Sequence, residues 1–105
     1  MNATATPGGE VLRLEGALQF ATVPAVLEQS ERYAARSDLP DKLTIDFSAI
    51  TEVDSSAVAL LLEWRRLAAA RGKALAFVNL PANLEALAGL YGVTDLIQPP
   101  ATRPA

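Results

Sequence analysis

Leu43, Ile45 and Phe47 alternate with Thr44 and Asp46, and this two-residue period predicts a strand with one buried and one polar face. Downstream the period lengthens. From Ala57 to Arg71 the chain is dense in leucine and alanine. On a helical wheel Ala57, Leu60, Leu61, Trp64, Leu67 and Ala68 share one broad face. Val58 and Leu62 extend it, while Glu63 and Arg66, with the small Ala59 and Ala70, hold the opposite side. A helix lying on a sheet needs an apolar stripe only about 100° wide or somewhat more, so this helix has apolar surface to spare. Between strand and helix stands Thr51-Glu52-Val53-Asp54-Ser55-Ser56. Short side-chain oxygens accept hydrogen bonds from the free N–H groups of a first helical turn, so any of Asp54, Ser55 and Ser56 can be the cap. The same N–H groups, backed by the helix dipole, favour an anion, a phosphoserine included.

The rest of the chain divides by similar signals. Val11 to Leu14 is a short strand candidate, and Glu15-Gly16-Ala17 a tight turn into a second, Leu18 to Phe20, giving an antiparallel hairpin. Thr22 and Pro24 mark a helix start. Val23, Val26, Leu27, Tyr33 and Ala34 form its apolar face, and Ser37-Asp38-Leu39-Pro40 ends it. Gly72 closes the long helix. Ala74-Leu75-Ala76-Phe77-Val78 is a continuous apolar run, as expected of a central parallel strand covered on both faces. Asn79-Leu80-Pro81 opens a third helix whose apolar face is Leu84, Leu87, Ala88 and Tyr91, with Gly92 at its end and Leu96-Ile97 as a last short strand. The order is strand, strand, helix, strand, helix, strand, helix, strand. Helices between strands imply right-handed crossovers, hence a single α/β domain with a mixed, mostly parallel sheet and helices packed on it. It spans residues 11–97. Residues 1–10, small and polar around Pro7-Gly8-Gly9, read as a flexible leader, and residues 98–105, with Pro99, Pro100 and Pro104, as a proline-rich tail.

Composition narrows the chemistry. At 105 residues one domain folds without staples, burying roughly 60–70% of its unfolded surface. Cysteine and histidine are both missing, which removes thiolate nucleophiles, thiolate metal ligands, the usual general base and any histidine phosphorelay acceptor. The net charge is −3 with scattered lysine and arginine, so no nucleic-acid partner is expected. No run reaches the roughly 20 apolar residues of a membrane span, and Met1-Asn2-Ala3-Thr4 lacks the features of a signal peptide. The expectation is a cytoplasmic protein without direct membrane insertion. Asp46, Glu52 and Asp54 lie near one another in sequence, a conceivable acid–base or Mg²⁺ site. No nucleophile with its base, glycine-rich phosphate loop or basic substrate clamp accompanies them. Neither catalysis nor a cofactor is expected.

Ile45-Asp46-Phe47-Ser48 followed by Val53-Asp54-Ser55-Ser56-Ala57-Val58 resembles the strand, loop and D-S-S-G-L helix start of the STAS domain. That is the fold of bacterial anti-sigma factor antagonists and of regulatory units attached to some transporters. Aligned so, Ser55 falls on the family's phosphoacceptor position. Ala57 stands where the antagonists usually carry glycine, and Gln19 where their early G-x-L-D motif carries aspartate, which weighs against a kinase-regulated switch. Leu60-Leu61-Leu62, Asn79-Leu80-Pro81 and Leu87-Ala88-Gly89-Leu90-Tyr91-Gly92-Val93 look like the MlaB branch, the small STAS subunits of phospholipid ABC transporters in Gram-negative bacteria. This resemblance implies a non-catalytic subunit in the cytoplasm. It would be held at the inner membrane by an MlaF-like ATPase in a complex with its permease, and would serve outer-membrane lipid asymmetry. The surface expected to meet that ATPase is the loop Asp54, Ser55, Ser56 with Ala59 and Leu62. The alternative is an anti-sigma factor antagonist switched by phosphorylation of Ser55.

Overall fold

Pro7 and Gly8 reverse the chain near its start. A proline followed by a residue of positive φ suits a two-residue turn, and Gly8 sits at φ 80° with Thr6 paired to Gly9 across it. Strand β1 (Asn2–Thr6) therefore runs antiparallel to β2 (Gly9–Leu18) in the computed structural model, which describes residues 2–97. Asn2–Thr6, expected as part of a leader, is thus a paired strand. It has no large apolar residue and is exposed throughout, so backbone pairing rather than burial holds it, and a hydrophobic pattern has nothing to register. Glu15-Gly16-Ala17, expected as the hairpin turn, lies inside β2. Gly16 takes φ 86°, and the pairing with the next strand shifts register on either side of it, so this glycine makes a bulge. The proline-rich tail falls outside the described residues.

Strand β3 (Lys42–Val53) pairs in parallel with β2 and with β4 (Ala74–Val78), giving the order β1-β2-β3-β4 among the described residues. Helices α1 (Val23–Ala34), α2 (Ser55–Ala70) and α3 (Ala82–Leu90) connect and follow these strands. A single mixed-sheet α/β domain results. The helices cover one face of the sheet. Leu12, Leu14, Leu43, Ile45, Phe47 and Phe77 are buried against them, whereas Arg13, Ser48, Ala76 and Val78 are exposed. Phe47 lies at the centre, edge-on to Phe77 at 5.7 Å and tilted against Trp64 of α2 at 6.5 Å, geometries that aromatic quadrupoles favour.

Two further expectations are corrected. Strand β4 ends the sheet of the described residues, and only one of its faces is covered: Phe77 is buried while Ala74, Ala76 and Val78 are exposed. Its large and small residues alternate, and alanine counts as apolar on either side, so a half-buried strand reads as a continuous apolar run. Leu96-Ile97 belongs to a short helix, α4 (Thr94–Ile97). The amides of Leu96 and Ile97 both donate to the Val93 carbonyl, and Ile97 turns into the core. Two residues are too few to show a period.

Both long helix ends follow the glycine signals. Gly72 and Gly92 have positive φ. Lys73 N–H donates to Ala68 O after α2, and Val93 N–H to Ala88 O after α3, the bonds of a Schellman ending.

Candidate partner-binding site

The site forms where β3 hands over to α2. Glu52 and Val53 still pair with Ala17 and Leu18 of β2, so Asp54 alone makes the turn, with extended backbone (φ −137°, ψ −171°). Ser55 is already helical. Of the possible caps the structure selects Asp54: its Oδ1 accepts from Ser56 N–H at 2.8 Å. Its Oδ2 accepts from Phe20 N–H at 2.9 Å, so one carboxylate ties the first turn of α2 to the loop after β2. The Phe20 amide, with the Ser56 amide in support, holds the Asp54 carboxyl below the usual aspartate range. It is ionised at neutral pH, and each bond is charge-assisted.

That loop presents a residue that periodicity missed. Phe20, read as the end of the short strand Leu18 to Phe20, is 82% exposed. Thr22 at the α1 N-cap position makes no side-chain cap bond; its Oγ1 donates to Ala17 O at 2.8 Å and accepts from Gln19 N–H at 2.9 Å. The expected Thr22 cap is therefore a loop lock, and with Asp54 it fixes the backbone that carries the phenyl ring outward. The closeness of Thr22 and Pro24, a helix start, to Phe20 was the signal that the chain leaves the sheet before this residue.

Along α2 the wheel resolves into two sides. Ala57, Val58, Leu60, Leu61 and Trp64 are buried. Ser55 and Ala59 are exposed, and Ser56 and Leu62 half-buried, with Leu62 packed against the core margin. Ser55, Ala59 and Leu62 follow one another at four- and three-residue spacing, so they form one stripe about 10 Å long at 1.5 Å per residue. Phe20, bonded to Asp54, stands at its start. Tyr91, expected on the buried face of α3, is 53% exposed, and Leu90 and Leu96 are 76% and 60% exposed. Tyr91 is the C-cap residue of α3, one position past its last helical residue, and lies beyond the stretch in which Leu84 and Ala88 are buried.

Arg65 is the other residue the wheel passed over. Its guanidinium lies 4.6 Å from the Phe77 ring centroid, and it donates to the carbonyls of Leu75 and Ile97. A long side chain can cross an apolar margin to reach such acceptors. Of the three carboxylates weighed as a reaction centre, Asp46 and Asp54 are engaged separately. Asp46 Oδ1 accepts from Ser48 N–H at 2.9 Å and from Asn79 Nδ2 at 3.0 Å, and the Asn79 amide, with Ser48, holds its carboxyl low. Asp54 serves Phe20 and Ser56. No group of three or more carboxylates among the described residues is arranged to hold a metal ion, and no described helix is long and apolar enough to cross a membrane.

A family model described as Mlab, STAS domain matches residues 1–98. The chain belongs to this MlaB-type STAS family. Solved structures support the fold. The STAS domain is similar to the anti-sigma factor antagonist SpoIIAA in its unphosphorylated form, at TM-score 0.70 and 19% identity, over 90% of this chain and 83% of that one. It is similar to a sulfate transporter family protein from Wolinella succinogenes at TM-score 0.70 and 16% identity, over 90% and 75% of the two chains. A SulP transporter STAS domain from Vibrio cholerae matches at TM-score 0.65 and 20% identity, over 83% of this chain and 66% of the other. Comparison with curated protein sequences finds no match. STAS domains thus occur both in sigma-factor regulation and in transporters, and these identities speak to fold alone.

Proposed function

We propose that this STAS domain is a non-catalytic cytoplasmic subunit that binds the ATPase of a phospholipid-transporting ABC complex and supports its assembly or activity. In this role it is peripheral to the inner membrane and contributes to outer-membrane lipid asymmetry. The observation that carries the reading is the surface at the start of α2 in a member of the MlaB-type family. Phe20 is exposed on a pinned loop, beside Asp54, Ser55 and Ser56, with Ala59 and Leu62 continuing the stripe. Aromatic side chains are enriched among residues that dominate interface energy, and a loop already ordered loses little entropy on docking. The sequence has no G-x-x-x-x-G-K-[ST] phosphate loop, so nucleotide chemistry belongs to the partner.

The test is co-expression with a phospholipid-transporter ATPase and its permease from the same genome, followed by purification through a tag on the ATPase. The STAS domain co-purifies in stable proportion, and Phe20→Ala is lost from the complex while keeping its melting temperature. If wild type fails to co-purify, the ATPase reading is wrong; if Phe20→Ala is retained like wild type, this loop is outside the interface. A signalling role has one observation in its favour, the exposed Ser55 at a helix N-terminus. That role requires phosphoserine at Ser55 in protein isolated from cells, read by mass spectrometry, and binding to a serine kinase instead of the ATPase.

A further inference from the structure

Strand β1 stands at one end of the order β1-β2-β3-β4, and each of its residues is exposed, so no described helix or loop covers that edge. Which of its backbone groups face outward follows from the hairpin. Thr6 and Gly9 flank the two-residue turn as a pair, and such a flanking pair exchanges both backbone hydrogen bonds. Bonded and non-bonded pairs alternate along an antiparallel ladder. Thr4 with Val11 and Asn2 with Arg13 are therefore bonded pairs, and the N–H and C=O groups of Ala3 and Ala5 point away from β2. Folded proteins guard such an edge with lysine, proline, a bulge or a covering element. Asn2–Thr6 carries no charge and no proline, and its register with β2 runs without a shift. The other end of the described sheet is guarded. The amide of Ala74 donates to the Asp41 carbonyl on the β3 side, so Leu75, the next residue, turns its carbonyl outward, and the Arg65 guanidinium donates to it.

The strand is also complementary to itself. When Asn2-Ala3-Thr4-Ala5-Thr6 is laid antiparallel on a copy about a two-fold axis at Thr4, Ala3 of each copy opposes Ala5 of the other. The outward groups of both copies then meet, and each Ala3–Ala5 pair exchanges two backbone hydrogen bonds. Thr4 meets its own copy on the axis as a non-bonded pair, where Cα atoms approach to about 4.5 Å and threonine pairs are favourable. Asn2 opposes Thr6, so no like charges face each other. Side chains no larger than asparagine leave room for the second strand on both faces, and a two-fold contact of this kind closes on itself. Five small residues from each copy bury less than the about 1,200 Å² of a standard interface. Association through them is therefore weak and depends on concentration.

From an open, uncharged and self-complementary edge we infer that β1 is a dimerisation strand: a second copy of this chain joins it antiparallel through Ala3 and Ala5, with Thr4 on the two-fold axis, and the two sheets become one. Asn2–Thr6 contains none of the residues proposed to meet the ATPase, so the dimer does not rest on that reading. The full chain is measured by sedimentation equilibrium from about 10 µM to about 1 mM, the span in which a few hydrogen bonds of modest net strength show. The weight-average mass rises from the monomer value toward twice that value. Ala5→Pro removes the outward amide from each copy, and so one bond from each Ala3–Ala5 pair, while the pairing with β2 stays, because an edge strand accepts proline where its N–H faces solvent. It raises the concentration needed for half-association about tenfold or more. Thr4→Lys and Thr4→Glu each set like charges across the axis, which opposes pairing, and each remains monomeric with a melting temperature near that of wild type. Their equimolar mixture, in which opposite charges face each other, recovers the dimer. The proposal is overturned by a wild-type chain that stays monomeric up to about 1 mM, by Thr4→Lys or Ala5→Pro associating like wild type, or by a mixture of the two charged variants that stays monomeric.

Discussion

Ala59→Arg and Leu61→Ala, two residues apart on α2, should separate partner binding from stability. Leu61 is fully buried in the cluster that contains Phe47, Trp64 and Phe77, and truncating such a leucine costs about 2–5 kcal/mol, transfer and cavity terms together. A domain of this size has about 5–15 kcal/mol to lose. At roughly 4–8 °C per kcal/mol, Leu61→Ala should lower the melting temperature by about 10 °C or more. Ala59 is exposed on the outward stripe. Arginine is nearly as good a helix former as alanine, and surface substitutions usually stay within about 0.5 kcal/mol, so Ala59→Arg should melt within a few degrees of wild type. At the interface its guanidinium would be desolvated without a partner. A penalty of about 2 kcal/mol, the lower bound of a hot-spot effect, corresponds to about 30-fold weaker binding. Thermal melts and titration against the purified ATPase, on the same preparations, read both quantities. Ala59→Arg binding like wild type would move the interface elsewhere, with the exposed cluster Leu90, Tyr91 and Leu96 next in line. Ala59→Arg melting as low as Leu61→Ala would refute the division of α2 into a buried and a free side.

Two further outcomes follow from polar contacts. Arg65→Met keeps the contact with Phe77 but strips the donors from the carbonyls of Leu75 and Ile97; leaving such groups unpaired costs about 1–3 kcal/mol, to be read as a lower denaturant midpoint at unchanged slope. The second concerns acid. Glu10 accepts from Arg36 at 2.8 and 3.0 Å and from Tyr33 Oη at 2.7 Å, and Arg36 above all holds its carboxyl below the usual glutamate value of 4.5. A depressed folded pKa contributes stability that is complete above the unfolded value and is lost as pH falls through the folded one. Glu10→Gln should therefore be less stable than wild type at pH 7, with the gap closing below about pH 4. A gap that stays constant down to pH 2 would show that the ionised Glu10 contributes nothing. Asp46 and Asp54, held low by their own bonds, keep an acid limb in both proteins.

What the sequence determined is whatever a large apolar residue or a glycine marks. Leu43, Ile45 and Phe47 announce β3, the leucines and Trp64 announce α2, and Gly72 and Gly92 announce its end and that of α3. Each feature is local: burial has a period, and a positive φ favours the residue without a Cβ. The position of the candidate site was legible for the same reason, because a strand pattern gives way to a helix pattern across Asp54-Ser55-Ser56. Tertiary structure decided what depends on partners distant in sequence. Asn2–Thr6 is a strand because β2 offers it a backbone edge, and alanine and threonine give no period to read. The placing of β4 at one end of the described sheet is a matter of strand order, to which a run of five apolar residues is indifferent. The choice of Asp54 over Ser55 and Ser56 as the cap comes from Phe20, whose amide, 34 residues earlier, engages the other carboxylate oxygen. Phe20 itself, apolar by type and exposed by position, had its role set by where Thr22 and Asp54 hold the loop, since a side chain's burial is fixed by the surface it faces and not by its own hydrophobicity.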